Sequence, residues 1–144
     1  ALYRASVAGV EIDLIVRGGC RRRPGVPGMS ETIRVRSIVG RFLEHARIFY
    51  FGNGGASEYF ISSADWMSRN LDFRVETMAP VESPGLRAEL DRILELQLAA
   101  NRKAWALAAD GGWRKITPAE GEPEISSQTE FMERALKQVG RGAS

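Results

Sequence analysis

The sequence predicts an α/β fold, and three features point to it. Short apolar runs of strand length, EIDLIVR, ARIFYF and EYFISSADW, alternate with Gly-rich breaks in the first half. A long amphipathic stretch over residues 85–107 follows Pro84, a residue suited to a helix start. A second amphipathic stretch closes the chain behind Ser127. The 144 residues suit one domain of ordinary size, and 44% hydrophobic content supplies its core.

Taken in order, ALYRASVAGVEIDLIV reads as a helix end running into a strand. The abrupt start, without an initiator Met or a basic signal-type segment, predicts a fragment of a longer protein. GGCRRRPGVPGMS is a loop, because its glycines and prolines break regular structure. ETIRVRS begins extended. Ile38, Val39, Phe42 and Leu43 then fall in helical spacing, which predicts a short helix that Gly40 weakens. ARIFYF is a strand, GNGGAS a turn, EYFISSADW the next strand and its exit, and FRVETMAPV another strand.

Composition shifts after Pro80, so residues 1–80 form a strand-rich part and residues 81–144 a mainly helical packing part of one domain. On the helix at 85–107, Leu86, Leu90, Ile93, Leu94, Leu98 and Trp105 are the packing positions. Gly111 and Gly112 end any continuation, and GGWRKITP adds a short strand or arm. Ser127 and Glu130 have the spacing of a capping box before a last helix with Phe131, Met132, Leu136 and Val139 on its apolar side.

One cysteine, Cys20, excludes an intrachain disulfide framework and a thiolate-rich metal site. A reducing, cytoplasmic compartment follows as the plain expectation. No apolar run approaches the ~20 residues that cross a bilayer, although a peripheral membrane contact stays open. The formal charge is only +2, yet 17 arginines stand against 3 lysines. Up to Arg74 there are 11 arginines, no lysine and 7 acids. Guanidinium groups grip phosphate in planar, bidentate fashion, so a phosphate-rich ligand is one reading. A GC-rich coding bias is the other.

His45 is the only histidine, and Arg47 follows two residues later. On a strand this spacing turns both side chains to one side. An imidazole can attack phosphorus or pass a proton to a leaving oxygen, and guanidinium groups offset charge on transferred phosphoryl oxygens. A half-buried histidine, hydrogen-bonded at a strand start, fits the same spacing. Arg17 ends a strand before a glycine-rich loop, where it meets either a ligand or solvent. Arg21, Arg22 and Arg23 either steer anions or face water. Ser62, Ser63, Asp65, Asn70, Asp72 and Arg74 make a polar cluster able to fix a histidine tautomer or bind a ligand oxygen, with Trp66 and Met67 as packing groups. No P-loop motif occurs, and one histidine with scattered carboxylates argues against a zinc site.

IDLIVRG, RPGVPGMSETIRVRSIVGRFLEHARIFYF, GNGG and ISSADWMSRNLDFRVE together resemble the carboxy-terminal catalytic region of bacterial polyphosphate kinases of the first class. The likeness runs from Ala1 to about Pro80 and on towards Gly140. It implies a phospholipase D-like fold, a multi-stranded mixed sheet flanked by helices, with this chain as the last of two similar domains around an Arg-lined tunnel. It implies reversible transfer of the terminal phosphate of ATP to polyphosphate through a phosphohistidine on the upstream catalytic domain. His45 then matches the assisting acid/base histidine that also contacts phosphate, and Arg17 a ligand of the nucleotide phosphates. Arg47 stands where the phospholipase D signature has lysine, and Gly52 holds the usual aspartate position with Asn53 beside it. Ser62, Ser63 and Asp65 occupy the polar-strand region. This departure puts phosphodiester hydrolysis in doubt.

ATP/ADP, Mg²⁺ for the full enzyme, polyphosphate and homo-oligomeric assembly are further implications of the resemblance. The chain alone is then expected to bind phosphate ligands weakly and to lack processive activity. Two rivals stand beside this reading. One is a phospholipase D-like hydrolase half-site completed by a second copy, marked by phosphodiester turnover. The other is a nucleic-acid module, marked by sequence-selective DNA binding that polyphosphate does not displace.

Overall fold

Alternation along IRVRSI sets the first sheet: Ile33 and Val35 are buried, whereas Arg34 is exposed. The structure is a computed structural model and describes residues 1–142. In chain order the elements are α1 (Leu2–Val7), β1 (Ile12–Ile15), β2 (Ile33–Ile38), β3 (Ile48–Phe51), a 3₁₀ turn (Asn53–Gly55), β4 (Glu58–Ser62), α2 (Ser68–Leu71), β5 (Met78–Pro80), α3 (Pro84–Ala99), β6 (Ala104–Leu107), β7 (Trp113–Lys115) and α4 (Ser127–Gly142). They form two compact units. Ala1–Glu44 joins the chain from Leu96 onward in the first, and His45–Glu95 is the second. Both carry a sheet with helices, so the fold is α/β as expected, with mixed pairing in the first sheet.

The first unit holds the sheet β1-β2-β6-β7. β1 and β2 run parallel, with Ile12 opposite Ile33 and Leu14 opposite Val35, while β6 and β7 add antiparallel strands. Ile38, Ala100 and Ala104 are buried together, with Ile15 and Ile116 packed on them. The parallel crossover between β1 and β2 is the predicted glycine-rich loop, and buried Ser30 pins it. The Ser30 hydroxyl donates to the Arg23 carbonyl at 2.6 Å and accepts from the Val26 N–H at 3.0 Å. Arg36 Nη1 donates to the carbonyls of Gln97, Leu98 and Ala100. A cation there satisfies orphan carbonyls at the end of α3.

The second unit holds the antiparallel sheet β3-β4-β5. Its turn follows from GNGG: Asn53, Gly54 and Gly55 adopt φ of 41°, 60° and 100°, a region glycine and asparagine enter most readily. Cross-strand aromatics line the ladder, Tyr50 with Tyr59 at 5.1 Å and Phe51 with Phe60 at 6.0 Å between centroids. Tyr59 is buried and donates to Asp91, a bond that pushes its phenol up to about 12.

Several expectations are corrected. No helix forms at Ile38–Leu43. Ile38 ends β2 in the core, and Val39, Phe42 and Leu43 are exposed in a loop. That loop is held by Gln128, whose amide accepts from the Phe42 N–H at 2.9 Å and donates to the Phe42 carbonyl at 2.8 Å and Glu44 Oε1 at 2.7 Å. α3 stops at Ala99 and does not reach Leu107, so Trp105 lies on β6. Buried Asn101 ends it: its side chain donates to the Pro123 carbonyl at 2.9 Å and accepts from the Ile125 N–H at 2.7 Å. The strand predicted in FRVETMAPV contracts to Met78–Pro80. The capping box does not form: Ser127 Oγ is buried with no hydrogen-bond partner, and the Glu130 N–H donates to the Ser126 carbonyl. Leu86, Leu136 and Val139, expected to pack, are exposed.

Candidate functional site

His45 and Arg47 sit in the second unit, immediately before β3 and at one end of its sheet. The Ser62 N–H donates to the Arg47 carbonyl at 3.0 Å, which extends the β3–β4 ladder back to Arg47 and fixes its backbone. From the same end, the Ser63 N–H donates to the Thr77 carbonyl at 3.0 Å, and the Ser62 hydroxyl donates to that carbonyl at 3.1 Å. Two neighbouring strands thus bring the segment Ser62–Asp65 beside Arg47.

The imidazole of His45 contacts one partner twice. Arg47 Nη1 is 3.2 Å from Nδ1, and Arg47 Nη2 is 3.2 Å from Nε2. The in-plane bonding directions of the two ring nitrogens diverge, so a single planar fork cannot meet both in the plane of the ring. Both Nη groups direct an N–H at the ring, so the end of the guanidinium points at the imidazole. This paired contact orients the ring against Arg47. His45 is exposed, whereas the Arg47 side chain is only 18% exposed.

Behind this contact lies a charge cluster. Arg47 Nε donates to Asp65 Oδ1 at 2.9 Å, and Arg69 Nη2 lies 3.6 Å from Asp65 Oδ2. Glu76 accepts from the Ser63 hydroxyl and from Asn70 Nδ2, and these bonds, aided by the charges of Arg74 and Arg47, hold its carboxyl below the usual range. Asn70 is buried, and Asp65 connects through its backbone to α2: the Met67 N–H donates to the Asp65 carbonyl at 2.8 Å. Trp66 is 60% exposed but stacks on Phe49 at 5.5 Å, and Met67 is 45% exposed, so neither is a core residue.

The residues singled out in the sequence are thus partly gathered. His45, Arg47, Ser62, Ser63, Asp65, Asn70 and Arg74 share the second unit. Arg17 belongs to the first, where Nη1 donates to the Glu44 carbonyl at 3.3 Å. Of the arginine triplet, Arg22 lies over the Tyr3 ring and Arg23 Nε donates to the Ala109 carbonyl. Glu76 and Arg69 went unnoticed in the sequence. Arg69 had a signal, its i,i+4 spacing from Asp65. Glu76 had none, since only folding brings it to Ser63 and Asn70. Among the described residues no group of three or more His, Cys, Asp or Glu side chains is placed to hold a metal ion, and no helix is long and apolar enough to cross a membrane.

A protein-family model described as polyphosphate kinase C-terminal domain 2 matches residues 1–128. The chain is 60% identical over 139 residues to a polyphosphate kinase of Thermosynechococcus vestitus, covering 96% of this chain and 19% of that protein. It is 58% identical over 132 residues to a polyphosphate kinase of Neisseria meningitidis serogroup C, covering 91% and 19%. The crystal structure of polyphosphate kinase from Porphyromonas gingivalis superposes with a TM-score of 0.88 at 48% identity, over 98% of this chain and 21% of that one. The chain thus spans about a fifth of the length of the relatives it matches.

Proposed function

This chain belongs to the bacterial polyphosphate kinase family, as its carboxy-terminal phospholipase D-like domain, and from that premise we propose that it supplies one half of a split phosphoryl-transfer centre. The reaction is reversible transfer of the terminal phosphate of ATP to polyphosphate, through a phosphohistidine on a neighbouring domain of the full-length enzyme. His45 assists as general acid or base and contacts phosphate, Arg47 offsets phosphoryl charge beside it, and Arg17 is a nucleotide-phosphate ligand. The observation that carries the reading is the paired contact of Arg47 Nη1 and Nη2 with the two ring nitrogens of His45, 3.2 Å each. It holds a guanidinium against the imidazole, so a phosphate oxygen arriving there meets cation and ring together.

Mg²⁺ enters this reading only with the nucleotide phosphates, because the described residues of this domain form no carboxylate cradle for it. The test is the polyphosphate-forming rate of a full-length polyphosphate kinase containing this domain, with His45→Ala and His45→Gln. Loss of the acid/base group lowers kcat at least ~100-fold, with no stable label from γ-labelled ATP on His45 in the wild type. A rate within about twofold of wild type, or stable label mapped onto His45 itself, overturns the reading.

A further inference from the structure

Resting on that reading, we propose that Asp65 is a positioning residue for His45, acting through Arg47. The geometry is a relay of two contacts. Asp65 Oδ1 takes the Nε–H of Arg47 at 2.9 Å, and the Nη groups of the same guanidinium meet the two ring nitrogens of His45 at 3.2 Å each. A planar group held at its Nε edge keeps one rotational setting, so the carboxylate decides where the Nη edge lies. Without it, the long arginine side chain regains rotamer freedom and the ring loses the contact that orients it.

Asp65 has no substitute in this role among the acids nearby. Glu76 shares the electrostatic field of Arg47, but its two oxygens are taken by Ser63 and Asn70. Asp65 is itself fixed from several directions: Arg69 approaches its second oxygen, and its backbone carbonyl accepts from the Met67 N–H. The contact with Arg47 is shielded, with side-chain exposures of 18% and 24%. A charged pair so placed keeps its geometry better than a solvated one.

The experiment is a double-mutant cycle on kcat in the full-length enzyme, with Asp65→Ala and Asp65→Asn made in wild-type and Arg47→Ala backgrounds. Misplacing the Arg47–His45 contact lowers kcat about tenfold or more in Asp65→Ala, with KM for ATP moving less than about threefold. Asp65→Asn, which keeps an oxygen for the Nε–H, retains more activity than Asp65→Ala. In the Arg47→Ala background neither change costs more than about twofold, because the relay is already broken. A kcat unchanged in both Asp65 variants, or losses just as large without Arg47, overturns the proposal. If Asp65→Ala does not fold, the Asp65→Asn arm decides alone: a loss that vanishes in the Arg47→Ala background supports the relay, and no loss or an undiminished one sinks it. Loss of activity in His45→Ala with none in the Asp65 variants removes this inference and leaves the proposed function standing. An unaffected His45→Ala removes the function first.

Discussion

Two arginines in this molecule are bound to carboxylates in opposite ways. Arg34, on β2 of the first unit, lies between Glu11 and Asp13, both at 2.7 Å, and its side chain is 61% exposed. Arg47, beside β3 of the second unit, shares the single carboxylate of Asp65 with Arg69 and is 18% exposed. At Arg34 acids outnumber the cation, and all its charge is answered. Around Asp65 two arginines share one carboxylate, and one of them also meets a histidine. A fully neutralised arginine tells about the strand pairing it laces together. An arginine that shares its carboxylate with a second cation, partly shielded from water and directed at a histidine, is placed to meet an anion.

The comparison is broken most sharply by removing each arginine from the full-length enzyme. Arg47→Ala is expected to lower phosphoryl transfer ~100-fold or more, as loss of a charge stabiliser at the transferred group does. Arg34→Ala is expected to stay within about twofold of wild-type kcat. Equal losses in steady-state assays would erase the distinction.

The next effect concerns what β2 contributes apart from Arg34. Ile33, its neighbour, is 2% exposed and faces Ile12 across the parallel pair. Ile33→Ala should cost about 3 kcal/mol in denaturant unfolding of this chain. Gly40 gives a smaller, more specific loss. A Cβ at that position would lie 2.2 Å from Gln128 Oε1, the atom that accepts from the Phe42 N–H. Gly40→Ala should therefore cost about 1–3 kcal/mol by displacing Gln128, read as a lowered unfolding midpoint.

The smallest effect belongs to the exposed pair itself. Arg34→Ala should cost under ~1 kcal/mol of stability. Its pH dependence has a definite sign. The hydrogen bond from Arg34 holds the Asp13 carboxyl below its usual value, against some desolvation. A carboxyl lowered in the folded state adds stability above its unfolded pKa, and that stability is lost as pH falls through the folded one. The urea midpoint should fall from about pH 4 downward, and Asp13→Asn should flatten part of that slope. A slope unchanged in Asp13→Asn would show that the pair adds nothing.

These positions also show what the sequence could tell. β1, β3 and β4 were legible because their apolar runs have strand length and end in turn residues. The Arg47–His45 contact was legible in outline, since spacing of two residues put both on one side. The helix predicted at Ile38–Leu43 failed because its apparent period mixes one core residue, Ile38, with exposed Val39, Phe42 and Leu43. What shapes that loop is Gln128, far along the chain, and Gly40 is there for its close approach. Glu76 stayed hidden for the same reason, its partners being set by strand pairing. Asp65 appeared only as one member of a polar cluster, because the atom it grips, Arg47 Nε, is chosen by the register of β3 against β4.

The most direct test of a phosphate-handling centre at His45 is a crystal structure of a full-length polyphosphate kinase containing this domain, with a non-hydrolysable ATP analogue bound. Phosphate oxygens within hydrogen-bonding distance of a His45 ring nitrogen and of the Arg47 Nη edge, with Arg47 still on Asp65, are the predicted result. Analogue phosphates bound well away from an unengaged imidazole would contradict it.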